Sequence, residues 1–237
     1  MSTGTNWKEI WSKRGRVNGG DLDLKTLIEL DGFDSGAGRI DAMDWQAYAD
    51  VISKKLGVRD GATVFEVGCG AGAFLYALRQ RHSLIVGGLD YSEGLISAAK
   101  VAMPDGDFLA TEAKLLNPEI TYDFVIANGV FHYFSCEYAA EVLARMLKKA
   151  RIAVAILEIP DFQTRAESET IRRSMLSQDE YDKKYAGLEH TYYRRDWFNK
   201  QASAVSDFSC ETFDGCIPNY VQNNFRFGVV LKKPECR

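Results

Sequence analysis

From about residue 45 onward, short apolar runs alternate with segments whose apolar residues recur at helical spacing. Trp45, Tyr48, Ala49, Ile52 and Leu56 fall on one helical face, which predicts a helix before the first strand. Val64, Phe65 and Val67 form a short apolar run of the kind that a buried parallel strand requires. Residues 74–78 read as the following helix and residues 84–89 as a second strand. Ser92 is placed to cap a helix carrying Leu95, Ile96 and Ala99, and Pro104-Asp105-Gly106 turns the chain into a third strand over 108–113. A fourth strand begins at Tyr122. A helix with Ala139, Val142, Leu143 and Met146 comes next, then a fifth strand over 152–157. Beyond Pro160 a polar, charged stretch runs to His190 with weak helical period, and a last helix over 194–205 precedes strands at 210–217 and 225–231. The first 40 residues, with glycines clustered at 19–20 and 32–38, supply no obvious core element. There is no internal repeat and no low-complexity tract. This alternation, closing on a strand pair, predicts an α/β fold: a seven-stranded, doubly wound, mostly parallel sheet with helices on both faces.

The densest local signal is Val64-Phe65-Glu66-Val67-Gly68-Cys69-Gly70-Ala71-Gly72-Ala73-Phe74. Glycines at alternate positions between a strand and a helix let the backbone turn sharply and approach a ligand closely. The first N–H groups of the new helix then face that ligand. Asp90 closes the next strand, where an acid can accept hydrogen bonds from both ribose hydroxyls. This pairing fits two cofactor classes, nicotinamide dinucleotides and S-adenosylmethionine. Gly68, Gly70 and Ala73 also satisfy the looser form of the dinucleotide fingerprint, so glycine spacing alone leaves both open.

Three further features bear on the choice. Glu66 stands two residues before the first glycine, and the stretch resembles motif I of the class I S-adenosylmethionine-dependent methyltransferases (hydrophobic-x-E/D-x-G-x-G-x-G) at every position. Thr111-Glu112-Ala113 is similar to the acid-plus-small-residue pair with which this family binds the adenine amino group. The stretch over 122–134, holding Asn128-Gly129-Val130-Phe131-His132-Tyr133-Phe134, resembles the family's motif IV in small-molecule enzymes. The matches run in order over about 64–160. The resemblance implies a cofactor site of Glu66, Gly68, Cys69, Gly70, Gly72, Asp90, Tyr91, Thr111, Glu112, Ala113, Asn128 and Gly129. It also implies S-adenosyl-L-methionine as cofactor, with S-adenosyl-L-homocysteine as product. Residues 1–42 are then an N-terminal lid or substrate segment, and 43–237 the methyltransferase domain with a substrate-cap insertion at 160–193.

Composition narrows the partners. A net charge of −4 and a pI near 5.5 give no electrostatic footprint for nucleic acid or an anionic membrane. No apolar run approaches transmembrane length, and the N-terminus lacks a signal-peptide core. Cys69, Cys136, Cys210, Cys216 and Cys236 are scattered without metal spacing, which suits a reduced, cytoplasmic enzyme. No set of acids and asparagine reads as a magnesium site of the catechol type, so no metal is expected. The motif IV exit lacks the Asn/Asp-Pro-Pro-Tyr/Phe of enzymes that methylate base or amide nitrogens, which directs the reading to a metabolite-sized acceptor.

A sulfonium methyl is already a strong electrophile, so methyl transfer needs mainly alignment of an acceptor lone pair. A hydroxyl acceptor gains from a base, and histidine suits neutral pH. His132, at the rim beyond the fourth strand, is the first candidate and His190 the second, each set against an ordinary packing role. His82 lies away from the rim and reads as structural. Trp7 and Trp11, four apart, suggest one face of a lid helix. Together with Phe131, Tyr133, Glu158 and Tyr192 they form the expected acceptor pocket, with Arg14 a candidate for the cofactor carboxylate and Asp161 for an acceptor group or a helix start. Three functions remain: transfer of a methyl group to a hydroxyl or amine of a sugar or secondary metabolite, nicotinamide-dependent oxidoreduction, and cofactor binding without catalysis.

Overall fold

The computed structural model describes residues 11, 22–33, 39–174, 177, 190–205 and 207–234. Its centre is one sheet ordered β3-β2-β1-β4-β5-β7-β6. The strands are β1 (Thr63–Val67), β2 (Ile85–Asp90), β3 (Asp107–Ala110), β4 (Tyr122–Asn128), β5 (Ala150–Pro160), β6 (Ser209–Asp214) and β7 (Arg226–Lys232). β1 to β5 pair in parallel, and β7 runs antiparallel between β5 and β6. The chain builds outward from β1 to β3 and then crosses back to β4 on the other side of β1. The crevice at the carboxyl ends of β1 and β4 is therefore the switch point where such sheets bind ligands.

Alternation along β1 sorts its side chains between two cores. Val64 joins α1 (Leu24–Leu30), α2 (Ala42–Leu56), α3 (Ala73–Arg79) and α4 (Glu93–Ala102) on one face. Phe65 and Val67 join α5 (Cys136–Lys149) and α7 (Arg195–Ser203) on the other. A further helix, α6 (Arg165–Ser174), follows β5. Asp41, Ser92 and Ser135 cap α2, α4 and α5 through their side chains, each cap contributing about 1 kcal/mol.

Two expectations are corrected. The first 40 residues do supply a core element: α1 is capped by Asp23 and buries Leu24, Leu27 and Ile28 in the main core. Seven residues show too few periods to stand out between glycine-rich flanks. β5 also runs past the predicted 152–157 to Pro160, because a register shift between Ile156 and Ile159 lets it stay paired to β7. Within that irregularity Glu158 adopts a left-handed backbone, φ 55°. Among the described residues, no helix is long and apolar enough to cross a membrane.

Candidate active site

The glycine loop joins β1 to α3 with Gly68, Gly70 and Gly72 all left-handed, at φ 71°, 54° and 86°. Every N–H from 68 to 73 has an acceptor within the protein. Gly68 and Cys69 donate to Leu89 O at 2.7 and 3.0 Å, and Gly72 donates to Cys69 O at 2.8 Å. Gly70 donates to Asp90 Oδ2 at 3.1 Å. The last two, Ala71 and Ala73, donate to Asp31 Oδ1 and Oδ2 at 2.6 and 3.1 Å. Asp31 stands at the C-cap of α1 and clasps the loop so closely that a Cβ on Gly70 would collide with its Oδ1. Cys69 is buried beneath the loop, and burial raises its thiol well above the ordinary value.

Two more carboxylates surround the loop. Asp90 Oδ1 accepts from Ser92 N at 2.8 Å, so backbone N–H groups reach both carboxylate oxygens. Burial raises its carboxyl, opposed by the N–H groups of Ser92, Gly70 and Tyr91. Glu66 is 3% exposed, and its Oε2 is buried without a hydrogen-bond partner. Burial, with Asp31 and Asp90 adding like charge, holds its carboxyl well above the usual range. Tyr91 follows Asp90, and burial raises its phenol too.

Beyond β3, Thr111 N donates to Asp90 O at 2.8 Å, which ties the two strand ends together. Glu112 Oε2 accepts from Tyr138 Oη at 3.4 Å, and Ala113 is buried. At the end of β4, Asn128 Oδ1 accepts from Tyr48 Oη at 3.1 Å. Gly129, left-handed at φ 66°, donates to Leu157 O at 3.1 Å. The cofactor-side candidates thus line the carboxyl ends of β1 to β4.

A second group gathers over β4 and β5. His132 is 7% exposed, its ring centroid 3.9 Å from Tyr133 and 4.5 Å from His190. Trp11 meets the edge of Tyr133 at 6.0 Å, and its carbonyl accepts from Ser92 Oγ at 3.2 Å. A short splice brings in His190. Thr191 N donates to His132 O, Tyr193 N to Pro160 O and Phe162 N to Tyr193 O, each at 2.9 Å. Tyr193 Oη donates to the carbonyls of Phe131 and Phe134 at 3.0 and 3.2 Å. Glu158 is 5% exposed, and burial pushes its carboxyl up to about 7 against the pull of Arg226. Its charge is felt by Tyr48, Cys216 and Tyr220.

Residues 65–152 match the family described as "Methyltransferase domain". That match runs from β1 through the glycine loop to the start of β5, and the fold is that of the class I S-adenosylmethionine-dependent methyltransferases. A curated relative, trans-aconitate 2-methyltransferase of Enterobacter sp. (strain 638), is 25% identical over 109 residues, 45% of this chain and 42% of that protein. The match therefore spans under half of the relative's length. Among solved structures, magnesium protoporphyrin IX methyltransferase from Synechocystis PCC 6803 has a TM-score of 0.58 at 19% identity, covering 89% of this chain and 98% of its own. The plantazolicin methyltransferase gives 0.60 at 16%, over 81% and 83%. A TehB-like methyltransferase from Corynebacterium glutamicum gives 0.57 at 18%, over 84% and 91%.

Within this fold some acceptor-side expectations fall elsewhere. Phe131 is 1% exposed and turned into the second core against Phe134, Tyr193 and Phe198. Its 3-10 turn, Phe131–Tyr133, points the ring inward under Tyr193. Tyr192 reaches Ser168 Oγ at 3.5 Å beside Arg165, on the α6 side. Asp161 starts the turn after β5, accepting from Gln163 N, and pairs with Arg195 at 2.8 Å. Arg195 also pairs with Asp214 at 2.7 Å, so it bridges two elements. His82 bonds Ser53 Oγ at 2.8 Å, a structural place. Trp7, Arg14 and most of 1–42 and 160–193's later half lie outside the described residues. By sequence, Asp31 and Tyr193 have no site role, and Tyr48 only a place on the buried face of α2. Their only signals are a helix-end Asp-Gly pair and two aromatics inside otherwise ordinary stretches.

Proposed function

We propose that this protein uses S-adenosylmethionine to methylate a hydroxyl or amine of a small metabolite, a sugar or secondary metabolite, by in-line attack. The observation that carries the cofactor reading is the complete internal use of the loop N–H groups, with Asp31 on Ala71 and Ala73. A dinucleotide would need those N–H groups for its pyrophosphate, and would bring that anion against a carboxylate. The residues present fit a cationic adenosine cofactor instead. Asp90 closes β2, where a carboxylate meets the ribose hydroxyls, and Glu66 presents a buried oxygen without a partner. Thr111, Glu112, Ala113 and Tyr91 flank the adenine side, and Asn128 and Gly129 the reacting side.

The bound cofactor supplies an electrophilic methyl group on a sulfonium. The chain's own work is to orient and to take a proton. His132, held by the Thr191 splice and packed edge-on to His190 beside the tilted ring of Tyr133, is the proposed base for a hydroxyl acceptor. Trp11 and Tyr133 would exclude water and hold an apolar acceptor surface. Glu158 and Tyr192 are the proposed polar edges of that pocket. The relatives are named for trans-aconitate, magnesium protoporphyrin IX and plantazolicin, three different acceptors, so the acceptor must be found with this chain. The four described cysteines carry free thiols, which supports a reducing, cytoplasmic setting.

The test is calorimetry with S-adenosylhomocysteine and NAD, followed by transfer of labelled methyl from S-adenosylmethionine into fractionated metabolites. Micromolar binding of the first ligand and label transfer are expected. His132→Ala should lower turnover of a hydroxyl acceptor on the order of 10²–10⁴-fold while leaving S-adenosylhomocysteine affinity unchanged. Binding of NAD alone overturns the reading, and binding of S-adenosylhomocysteine with no transfer to any pool favours a non-catalytic module.

A further inference from the structure

We infer that Glu158 selects the acceptor, and that this acceptor carries a basic amine which pairs with the Glu158 carboxylate as an ammonium group. This rests on the methyl-transfer reading above and deepens it, because it names the class of metabolite that the site takes.

A break in the strand ladder aims the side chain. Ile156 pairs with Val229 and Ile159 with Phe227, so Leu157 and Glu158 together stand opposite Gly228 as a bulge. Ile156 and Ile159 both face the second core, and Leu157 faces the first. Strict alternation would send Glu158 to the side of Ile156. The bulge turns it to the first face instead, where Tyr48, Cys216 and Tyr220 feel its charge. This places it beside the proposed reacting side. Leu157 pairs with Asn128, and its carbonyl takes the Gly129 N–H, so Glu158 is the next residue outward along β5. Tyr48 also reaches Asn128 at 3.1 Å, and Tyr220 also feels Tyr133 of the ring group.

Backbone strain marks the same place twice. Among the described residues, two that are not glycine adopt a left-handed backbone, Glu158 at φ 55° and Asn219 at φ 56°. Asn219 precedes Tyr220, and its amide donates to both oxygens of Asp44 at 3.1 and 3.0 Å. Strain of this kind costs stability and gathers at ligand sites.

The surroundings call for a cation. Glu158 is 5% exposed, and among the described residues its carboxylate accepts no hydrogen bond and closes no ion pair. Arg226, the cation that acts on it, gives its hydrogen bond to the Glu158 main-chain carbonyl at 3.3 Å. Its other titratable neighbours are two phenols and a thiol, all kept neutral by burial. A buried carboxylate in that company is stabilised by an ammonium group, whereas a neutral amide would serve a hydroxyl equally well. Burial raises the carboxyl to about 7, so an arriving ammonium group holds it ionised at neutral pH.

The test splits an aqueous metabolite extract on a strong cation-exchange resin at pH 6 and follows labelled methyl from S-adenosylmethionine into each pool. Wild type should label the retained pool, and acetylating its amines in bicarbonate should abolish that transfer. With the retained pool limiting, Glu158→Gln should be slower by roughly 10- to 100-fold. At saturating pool it should stay within about threefold of wild type, with S-adenosylhomocysteine affinity unchanged. The limiting-pool ratio of wild type to variant should grow from pH 6 to pH 8, as the carboxylate forms. A merely structural role would slow both regimes alike and leave that ratio flat, which overturns the inference. Transfer into the unretained pool alone, or undiminished transfer after acetylation, overturns it and leaves the methyl-transfer reading standing. No transfer into either pool overturns both.

Discussion

The two halves of the crevice are built from different materials. Over β1 and β2 the walls are backbone: six consecutive N–H groups, each given to a fixed acceptor, and carboxylates at 31, 66 and 90. Over β4 and β5 the walls are rings: Trp11, His132, Tyr133 and His190, drawn from three distant stretches and joined by a three-bond splice. In the proposed function the first half holds a constant ligand, and backbone geometry changes little when side chains are exchanged. In the same proposal the second half faces the acceptor, and exchanging rings alone would refit it to a new one. A fold that must keep one cofactor while its acceptors differ divides its labour this way.

The sharpest way to break the first half is at Gly70. Valine there is strained twice: its backbone is left-handed at φ 54°, and a Cβ would collide with Asp31 Oδ1. S-adenosylhomocysteine affinity should fall at least about a hundredfold, a loss of about 3 kcal/mol or more. Circular dichroism should still report a folded α/β protein. Binding within tenfold of wild type would show that Asp31 swings aside, and that the clasp is not a fixed wall.

The second half should be sensitive to pH through Glu158. Its carboxyl is raised to about 7 from 4.5 by burial. With the folded value above the unfolded one, the carboxyl contributes fully below pH 4.5, and stability is lost as pH rises toward 7. The shift corresponds to about 3 kcal/mol of penalty above pH 7. Glu158→Gln should therefore match wild type near pH 4 and exceed it by up to this amount at pH 8, as read from urea midpoints at both pH values. Equal midpoints at pH 8 would mean that Arg226 stabilises the buried carboxylate as much as burial penalises it.

The same division explains what the sequence made legible. The glycine loop, Asp90 and the strand exits are local patterns, in which neighbours in sequence are neighbours at the site. Strand and helix order followed from periodicity for the same reason. Asp31 was invisible because its partners are 40 and 42 residues away and its helix is only seven residues long. His190 was named, but nothing in its stretch predicts that Thr191 bonds the carbonyl of His132. The packing of Phe131 was not legible either, because an apolar residue at a rim turn can face either a pocket or the core. Here Tyr193 Oη, reaching the Phe131 carbonyl, belongs to the packing that turns its ring inward.

The smallest effect tests that last point. Tyr193 is buried, and its hydroxyl donates to two carbonyls of the turn that carries His132. Tyr193→Phe keeps the ring packed against Phe131, Trp197 and Phe198 and removes only the hydroxyl. The Phe131 carbonyl keeps a bond from Phe134 N, so one acceptor at most is left short, for a cost of about 1 kcal/mol. A thermal melt should shift down by a few degrees. S-adenosylhomocysteine affinity should stay within twofold, because no loop N–H depends on Tyr193. Acceptor KM should rise instead, since the turn holding His132 against His190 loses one of its ties. If cofactor affinity falls together with acceptor affinity, the two halves are mechanically coupled through β4, and the division between a constant half and a refittable half fails.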